Sequence, residues 1–307
     1  MKALQIDSYG GPESLIQREL PPPTAGDGQV VVRIFTTTLN PIDIKLASGV
    51  MRDFMPLKFP WTPGADFSGV IETVGANVEL LNTGDEVYGY SAVGGAYAEQ
   101  IVIDASNIGK KPPLLSTIEA ASLALVGQTA QQALAAAKLE PGKKILIHGA
   151  LGGVGSAAVQ LAHAAGAYVI ATVATGGEAS AKAFGANEVI DYKTTAFETV
   201  VKNVDAVLDT IGGETQQKSF TVLKEGGVLV ALTQPPSPET AAKYKVTAVM
   251  LDTHSTSESV DALSNSIISG DLKPQVGKVY PLADAAKVWS EWPTLHITGK
   301  IVFTVWA

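Results

Sequence analysis

The glycine-rich stretch HGALGGVG at residues 148–155 is the feature that most restricts the possible folds of this chain. The apolar run KILIHG leads into it, and SAAVQLAHAAG follows with small and apolar residues at helical spacing. This order predicts a strand, a tight turn and a helix. Since dinucleotide-binding sheets open with the same unit, a bound dinucleotide is the first functional hypothesis.

Ala150, Gly152 and Gly155 hold the three positions of the G-x-G-x-x-G pattern, with alanine in place of the first glycine. In that pattern the first residue allows the bend, the second lets the backbone approach a pyrophosphate, and the third lets the helix pack close to the strand. The helix N-terminus also attracts phosphate. A tight turn that binds nothing is the alternative. The predicted cofactor-binding residues of the turn are Gly149, Ala150, Gly152, Gly153, Val154 and Gly155.

The rest of the chain predicts an α/β protein with two lobes. Short β-rich runs broken by glycine and proline fill residues 1–112. A helix ESVDALSNSIISG and the β-rich stretches KPQVGKVYPLADAAKVW and GKIVFTV follow residue 256, and this tail is expected to return to the first lobe. Between them, helices alternate with strands, which predicts a doubly wound parallel sheet of the Rossmann type. The predicted strands are 144–149, 168–173, 188–191, 204–209, 227–232 and 245–251.

Composition excludes several classes of protein. The formal net charge is −8 with no cluster of lysine or arginine, which argues against a nucleic-acid partner. No stretch is apolar enough for a signal peptide or a membrane span, so a cytoplasmic protein is expected. Without cysteine there is no disulfide, thiolate catalyst or cysteine-bound metal, and His148, His163, His254 and His296 are widely separated. We therefore expect no metal site.

The residues after the glycine turn favour NADPH over NADH. NAD sites usually place an acidic residue about 20 residues beyond the turn, where it binds the ribose hydroxyls. No carboxylate occurs between Ser156 and Gly177, so a 2′-phosphate meets no repulsion there. Thr175 can donate a hydrogen bond, and Lys182 and Tyr192 can reach over from the next helix and strand. A solvated helix position is the alternative for Lys182, and both interpretations stay open.

Several motifs occur in an order that resembles the medium-chain dehydrogenase/reductase superfamily, and within it the zinc-free quinone oxidoreductase and enone reductase branch. The motifs, besides the glycine turn, are NPIDIKLASG (40–49), PGADFSGVI (63–71), GDEVYG (84–89), GAYAE (95–99) and GQTA (127–130). The resemblance implies a GroES-like catalytic domain of residues 1–112 and 257–307 and a Rossmann domain of residues 113–256. It also implies NADPH bound between the lobes and a homodimer paired through the edge strand near 246–251.

Differences from the zinc-dependent members of that superfamily bear on the reaction. Asn40 stands where those enzymes place the first zinc cysteine, and Gly64, Ala65 and Asp66 stand where they have Gly-His-Glu. Their four-cysteine zinc lobe is also missing. A conjugated acceptor spreads the charge of an incoming hydride through its π-system, so hydrogen bonds suffice in place of a Lewis acid. We therefore predict hydride transfer to a quinone or to the β-carbon of an α,β-unsaturated carbonyl compound.

The candidate catalytic residues are Asn40, Lys45 and Asp43, all in the NPIDIK motif. By the resemblance, Lys45 favours an enone acceptor, since many quinone reductases carry tyrosine there. Asn40 offers an amide donor, and Asp43 is expected to position the loop or to pair with Lys45. The alternative is a structural turn, with Asn40 as N-cap, Asp43 in the first helical turn and Lys45 facing water.

Three further positions belong to the family pattern or to the substrate hypothesis. Thr129, in GQTA, is implied by the resemblance to lie at the nicotinamide end, with helix packing as its alternative. Residues 51–61, MRDFMPLKFPW, are interpreted as an apolar substrate wall or as core. Lys300 recurs in the family, and no chemistry is assigned to it.

Two other classes of function remain open. One is a non-catalytic relative that binds NADPH for a structural or regulatory purpose. The other is a partner-binding module, for which the sequence offers neither an exposed apolar helix nor a block of charge.

Overall fold

A computed structural model describes residues 1–295 and 297–306. The chain divides into two compact units. The first contains Met1–Leu125, Ser255–Asn265 and Pro274–Ala307, and the second contains Val126–His254 and Ser266–Lys273. The domain limits predicted above, 1–112 with 257–307 and 113–256, stay a prediction.

The described residues form strands and helices that are numbered in chain order. The strands are β1 (Lys2–Gln5), β2 (Ile16–Glu19), β3 (Gln29–Thr38), β4 (Asp66–Val74), β5 (Glu86–Tyr90), β6 (Gln100–Asp104), β7 (Ile108–Lys110), β8 (Lys144–Ile147), β9 (Tyr168–Val173), β10 (Glu188–Asp191), β11 (Val204–Asp209), β12 (Leu223–Ala231), β13 (Thr247–Met250), β14 (Val276–Pro281) and β15 (Lys300–Thr304). The α-helices are α1 (Pro41–Ala47), α2 (Thr117–Ala136), α3 (Gly153–Ala164), α4 (Glu178–Ala183), α5 (Phe197–Val200), α6 (Gly213–Ser219), α7 (Pro238–Tyr244), α8 (Ser257–Ile268) and α9 (Ala285–Glu291). Among them, no helix has both the length and the apolar character needed to cross a bilayer.

The first unit is built on a seven-stranded sheet in the order β14-β15-β3-β4-β5-β7, with β6 also paired to β3. Its long central strand, β3, is rich in β-branched residues, and Val30, Val32 and Ile34 are buried in the core. The C-terminal strand β15 pairs antiparallel with β3, with Val302 opposite Thr38. The tail therefore returns to the first unit, as predicted.

One prediction for the tail is wrong. The segment ADAAKVW was predicted to be β-rich, yet residues 285–291 form helix α9. Ala285, Val288 and Trp289 are its buried residues, and their spacing of three and four is that of one helical face. The β-strand prediction holds for 276–281 and 300–304, which are β14 and β15.

The second unit contains a six-stranded parallel sheet in the order β10-β9-β8-β11-β12-β13. All six predicted strands are present within a few residues of their predicted limits. In β8, Ile145, Leu146 and Ile147 are completely buried, as expected for a strand covered on both faces. The strand order reverses between β8 and β11, and ligands of such sheets bind at the carboxyl ends of the strands at this switch point.

His148 joins the end of β8 to its neighbours in the second unit. Its Nδ1 lies 3.1 Å from the Thr172 hydroxyl oxygen of β9, and its Nε2 lies 3.0 Å from the Ser219 hydroxyl oxygen of α6. The ring also meets Phe197 edge-on. Burial lowers the pKa of His148 from 6.5 to about 4, so the ring is neutral at neutral pH.

We expect His148→Gln to flatten the acid dependence of stability. In the unfolded chain this histidine takes up a proton below pH 6.5, whereas in the folded protein its pKa is about 4. The contribution of the neutral His148 ring to the free energy of unfolding is therefore complete above pH 6.5. It is lost as the pH falls toward 4, and the loss reaches up to about 3 kcal/mol. Urea unfolding at several pH values between 4.5 and 7 measures it.

His163→Gln is the matched control, because His163 is exposed on α3. This variant should keep the pH dependence of the parent protein. An unchanged pH dependence in His148→Gln would contradict a neutral buried ring.

Candidate cofactor and catalytic sites

The glycine turn connects β8 to α3 at the switch point of the parallel sheet. Gly149 is in the left-handed region, with φ of 64°, and a methyl group added to it would lie 2.4 Å from the Thr210 hydroxyl oxygen. That hydroxyl donates to the His148 carbonyl oxygen at 2.8 Å. Gly149 thus makes the bend, while Ala150 beside it is buried in an ordinary backbone conformation.

Gly155 and Gly152 differ in what the fold requires of them. A methyl group on Gly155 would lie 2.1 Å from the carbonyl oxygen of Gly149, so only glycine lets α3 approach the turn this closely. A methyl group on Gly152 would lie 3.4 Å from the same oxygen, an ordinary contact. Packing within the chain therefore explains the lack of a side chain at Gly155 but not at exposed Gly152.

The N-terminus of α3 has the features of an anion site. Gly152 is its N-cap, and no side chain caps it. Within the described residues, the backbone N–H groups of Gly153, Val154 and Gly155 have no hydrogen-bond acceptor. Unpaired N–H groups together with the positive end of a twelve-residue helix favour a phosphate group. These residues fit the pyrophosphate of a dinucleotide.

The edge formed by β9 and β10 contains a carboxylate that the sequence reasoning missed. The Thr175 hydroxyl donates to Asp191 Oδ2 at 2.6 Å, and Asp191 Oδ1 accepts from the Lys193 backbone N–H at 2.8 Å. Asp191 ends β10 and pairs in register with Val173 at the end of β9. The acidic residue that the sequence lacks along β9 is therefore supplied by the neighbouring strand.

Two other predicted cofactor residues lie near this edge with partners of their own. The Lys182 ammonium donates to the carbonyl oxygen of Asn187, within its own helix-strand connection. Tyr192 is half exposed, and the Lys193 ammonium lies 5.3 Å from the centre of its ring. The edge adjoins the glycine turn, because a methyl group on Gly177 would lie 2.4 Å from the Leu151 side chain.

Thr129 lies in α2 and is buried. Its hydroxyl oxygen accepts a hydrogen bond from the Thr253 hydroxyl at 3.2 Å. The structure thus places Thr129 in a contact between two segments of the second unit, which is the packing alternative for this residue.

In the first unit, Asn40 and Asp43 are held at the start of α1. The Asn40 backbone N–H donates to Asp43 Oδ2 at 2.9 Å, the reciprocal bond of a capping box. Proline at the first helical position favours the same start. These capping positions are those of the structural alternative considered above, and both side chains are also buried.

A buried cluster of polar side chains, here called the Lys300 cluster, consists of Lys300, Asn40, Asp66 and Thr38. The Lys300 ammonium donates to Asn40 Oδ1 at 2.6 Å and lies 3.3 Å from Asp66 Oδ2. Asn40 Nδ2 donates to the same Asp66 oxygen at 2.7 Å, and the Thr38 hydroxyl donates to it as well. Both polar atoms of the Asn40 amide are therefore engaged inside the protein.

The remaining contacts of the cluster are to the backbone. Lys300 also donates to the Leu39 carbonyl oxygen at 2.9 Å, and Asp66 Oδ1 accepts from the Leu125 N–H at 2.6 Å. The cluster therefore joins the strand β15, the start of β4 and the segment that leads into α1.

Asp43 and Tyr97 are buried next to this cluster, and burial raises the pKa of both side chains. Burial raises the pKa of Asp43 to about 7, against the lowering effects of the Asn40 N–H and the Lys300 charge. Burial also raises the pKa of Tyr97, whose hydroxyl oxygen accepts from the Trp289 indole N–H at 3.2 Å. Both groups face the core, so neither is placed to exchange a proton with a bound molecule.

Lys45 is the candidate catalytic residue that the structure leaves accessible. It lies on α1 and is exposed. Within the residues that the structure describes, no hydrogen bond or ion pair involves its ammonium group, and Ser48 bonds only to its backbone carbonyl oxygen. The expected pairing of Lys45 with Asp43 is not present, because the Asp43 carboxylate is buried and bonded to backbone N–H groups.

The two interpretations of residues 51–61 are an apolar substrate wall and core, and different residues of the segment fit each interpretation. Met51, Leu57, Phe59 and Trp61 pack against an apolar cluster of the first unit. Phe54, in contrast, is 85% exposed. The segment is anchored in the core and presents an apolar tip to its surroundings.

Among the residues that the structure describes, there is no group of three or more histidine, cysteine, aspartate or glutamate side chains arranged to hold a metal ion. His296 lies outside the described residues.

Comparison with known proteins assigns the family. The family described as "Alcohol dehydrogenase GroES-like domain" matches residues 26–113, and the one described as "Zinc-binding dehydrogenase" matches residues 184–303. A chloroplast envelope quinone oxidoreductase homolog of Arabidopsis thaliana is 34% identical over 323 residues, which cover 98% of each chain. An NADPH-dependent alkenal/one oxidoreductase of the same plant is 33% identical, covering 98% of this chain and 79% of that protein.

A solved structure extends the likeness to three dimensions. The quinone oxidoreductase of Coxiella burnetii is 32% identical, with a TM-score of 0.92 and 99% of each chain covered. These relatives confirm the expected combination of a GroES-like domain with a parallel-sheet Rossmann domain. The chain is an oxidoreductase that belongs to the quinone and enone oxidoreductase branch of the medium-chain dehydrogenase/reductase superfamily.

Proposed function

We propose that this protein reduces α,β-unsaturated carbonyl compounds, and quinones of similar size, at the expense of NADPH. The observation that carries the proposal is the accessible ammonium of Lys45, which has no bonded partner among the described residues and lies on a helix whose start is fixed by buried hydrogen bonds. The names of the relatives, quinone oxidoreductase and alkenal/one oxidoreductase, support the same acceptor classes.

The glycine turn binds the dinucleotide in this proposal. Gly152 leaves room for the pyrophosphate, and the N–H groups of Gly153, Val154 and Gly155 donate to it. The hydroxyl group of Tyr192 serves as a donor to the adenosine ribose and its 2′-phosphate, and the Thr175 hydroxyl, which donates to Asp191, offers its oxygen as an acceptor for a ribose hydroxyl. When bound, NADPH supplies the hydride.

Lys45 binds the oxygen of the acceptor. A conjugated carbonyl or quinone develops negative charge on its oxygen as the hydride arrives, and a positioned ammonium donor lowers the energy of that state. Such a donor does not need to transfer a proton, because solvent can protonate the product oxygen. The protein then acts mainly by orienting the acceptor and by stabilising its charge.

Asn40 and Asp43 act as positioning residues in the same proposal. The Asn40 amide is bonded to Asp66 and Lys300, so it has little left to offer an acceptor. Asp43 caps the helix that carries Lys45. Both residues therefore influence the reaction through the position of α1.

We also propose that two copies pair through β13 to form a homodimer. This strand lies at the edge of the six-stranded sheet, and Met250 on it is 42% exposed. An unpaired edge of a sheet is a ready template for a second strand.

Alanine variants of Gly152 and Gly155 separate the binding role of the glycine turn from its folding role. Gly152→Ala should weaken NADPH binding at least about tenfold with little change in melting temperature, because the added methyl group makes only an ordinary contact within the protein but lies where the pyrophosphate approaches. Gly155→Ala should lower the melting temperature, since its methyl group meets the Gly149 carbonyl oxygen. Fluorescence titration and thermal melting of both variants measure these effects. Normal NADPH affinity in Gly152→Ala would contradict the proposed site.

Removal of the Lys45 side chain tests its role. Lys45→Ala should reduce kcat/KM for a short 2-alkenal or enone by about 10- to 100-fold, with NADPH affinity unchanged, because the oxygen loses its charged donor. Absorbance of NADPH measures turnover, with 1,4-benzoquinone assayed in parallel.

Lys278→Ala is the control, since Lys278 is likewise an exposed lysine of the first unit. Equal activity of Lys45→Ala and the parent protein would remove Lys45 from the mechanism. If no acceptor oxidised NADPH although NADPH bound, the non-catalytic alternative would replace the proposal.

Asp191 is expected to influence the choice between NADPH and NADH. The Asp191 carboxylate is bonded to Thr175, a proposed ligand of the ribose, and it opposes a phosphate there by like charge. Asp191→Asn should therefore raise the ratio of kcat/KM for NADPH to that for NADH by about tenfold. Asp271→Asn, an exposed carboxylate of the same unit, is the control. An unchanged ratio would place the 2′-phosphate away from Asp191.

A further inference from the structure

The ammonium of Lys300 is completely coordinated inside the protein. An ammonium group has three N–H donors, and three acceptors surround this one: the Leu39 carbonyl oxygen at 2.9 Å, Asn40 Oδ1 at 2.6 Å and Asp66 Oδ2 at 3.3 Å. The Lys300 side chain is 6% exposed and that of Asp66 is 1% exposed. A buried charge is tolerated only when it is paired and hydrogen-bonded in this way.

Two of the three acceptors belong to the residues that lead directly into α1. Leu39 and Asn40 precede Pro41, the first residue of this seven-residue helix. Because so short a helix has little stability of its own, its position depends on its contacts with the rest of the first unit. Lys300 is bound to the entry of the helix, and the exposed Lys45 lies on the helix itself.

We propose that Lys300 is a positioning residue for the reduction reaction, which holds the entry of α1 against Asp66 and thereby fixes where the Lys45 ammonium meets the acceptor oxygen. This inference rests on the proposed function of Lys45. Lys300 does not touch the acceptor in this scheme, because its three donors are used inside the cluster and its side chain is buried.

A second anchor explains why the helix would be displaced by the loss of Lys300 and would not unfold. Leu46 and Ala47 on α1 are buried in the apolar cluster of the first unit, and the Ala47 carbonyl oxygen accepts from the Gly10 N–H at 2.8 Å. The end of the helix therefore stays attached when its entry is released. Loss of Lys300 is expected to loosen residues 40–45 selectively.

The test removes the buried pair as a unit. Lys300→Met alone leaves Asp66 as an uncompensated buried charge and risks misfolding. The double variant Lys300→Met/Asp66→Asn removes both charges, and Lys300→Arg retains the cation. The control is Lys111→Met/Glu86→Gln, which removes another buried lysine of the first unit and the carboxylate 3.3 Å from it.

Hydrogen exchange of the full chain without cofactor gives a readout that does not depend on turnover. Amides of residues 42–45 should exchange at least about tenfold faster in Lys300→Met/Asp66→Asn than in the control pair, and Lys300→Arg should stay close to the parent protein. Unchanged exchange of these amides in the double variant would overturn the proposal, whatever its activity.

Kinetic coupling then tests whether Lys300 acts through Lys45. The double variant should lose about tenfold or more in kcat for an enone, with NADPH affinity unchanged. In a protein that already carries Lys45→Ala, the same double change should lower kcat less than about twofold further, because Lys300 acts only through the side chain that is missing there. Losses that multiply would show that Lys300 acts independently of Lys45, which contradicts the proposal.

The same measurements separate this inference from the proposed function. If Lys45→Ala were fully active, the role of Lys45 in the proposed function would fail, and the positioning of that residue by Lys300 would fail with it. If Lys45→Ala were impaired and the exchange of residues 42–45 did not change in the double variant, Lys45 would keep its role and only the inference about Lys300 would be wrong.

Discussion

The ion pair between Lys300 and Asp66 is the interaction on which the candidate catalytic site depends. It joins the last strand of the chain to the start of β4 and to the entry of α1. Transfer of two charges from water into the core costs free energy, and that cost is offset only because Asn40, Thr38 and two backbone groups complete the hydrogen bonds. The buried charge pair thus fixes the position of one short helix, α1. A hydrophobic contact of the same size would stabilise the fold without fixing that position.

The fold of the second unit was largely predictable from sequence because its signals are local. Apolar runs, helical spacing and the glycine turn each lie within a dozen residues, and they predicted the six strands of the parallel sheet. The helix α9 was misread because its segment is short and lies between two strands. Asp191 was missed for a different reason. The hydrogen bond between Asp191 and Thr175 depends on the register of β10 against β9. The sequence of neither strand specifies that register by itself.

The candidate catalytic residues show the same limit. The NPIDIK motif identified the right helix, and the capping pattern of Asn40 and Asp43 followed from residue types alone. The partners of the Asn40 amide did not, since Asp66 and Lys300 lie 26 and 260 residues away along the chain. With those partners known, the role proposed for the Asn40 amide is no longer to bind the acceptor but to hold the start of α1. Lys45 keeps its candidacy because the structure gives it no competing partner among the described residues.

A residue that the fold does not need is the strongest pointer to function in this chain. Gly149 and Gly155 are explained by a left-handed backbone and by a close approach of two backbone segments, so their identity would be the same in a turn that binds nothing. Gly152 is different, because a side chain there would meet only an ordinary contact within the protein. Lys45 is likewise an exposed cation of the first unit, and its ammonium group has no bonded partner among the described residues. The two positions lie in separate units, and the proposed function gives each of them a role. The open space at Gly152 fits a phosphate group of the cofactor, and the Lys45 ammonium fits the oxygen on which negative charge develops. Hydride transfer to a conjugated carbonyl compound requires both of these interactions.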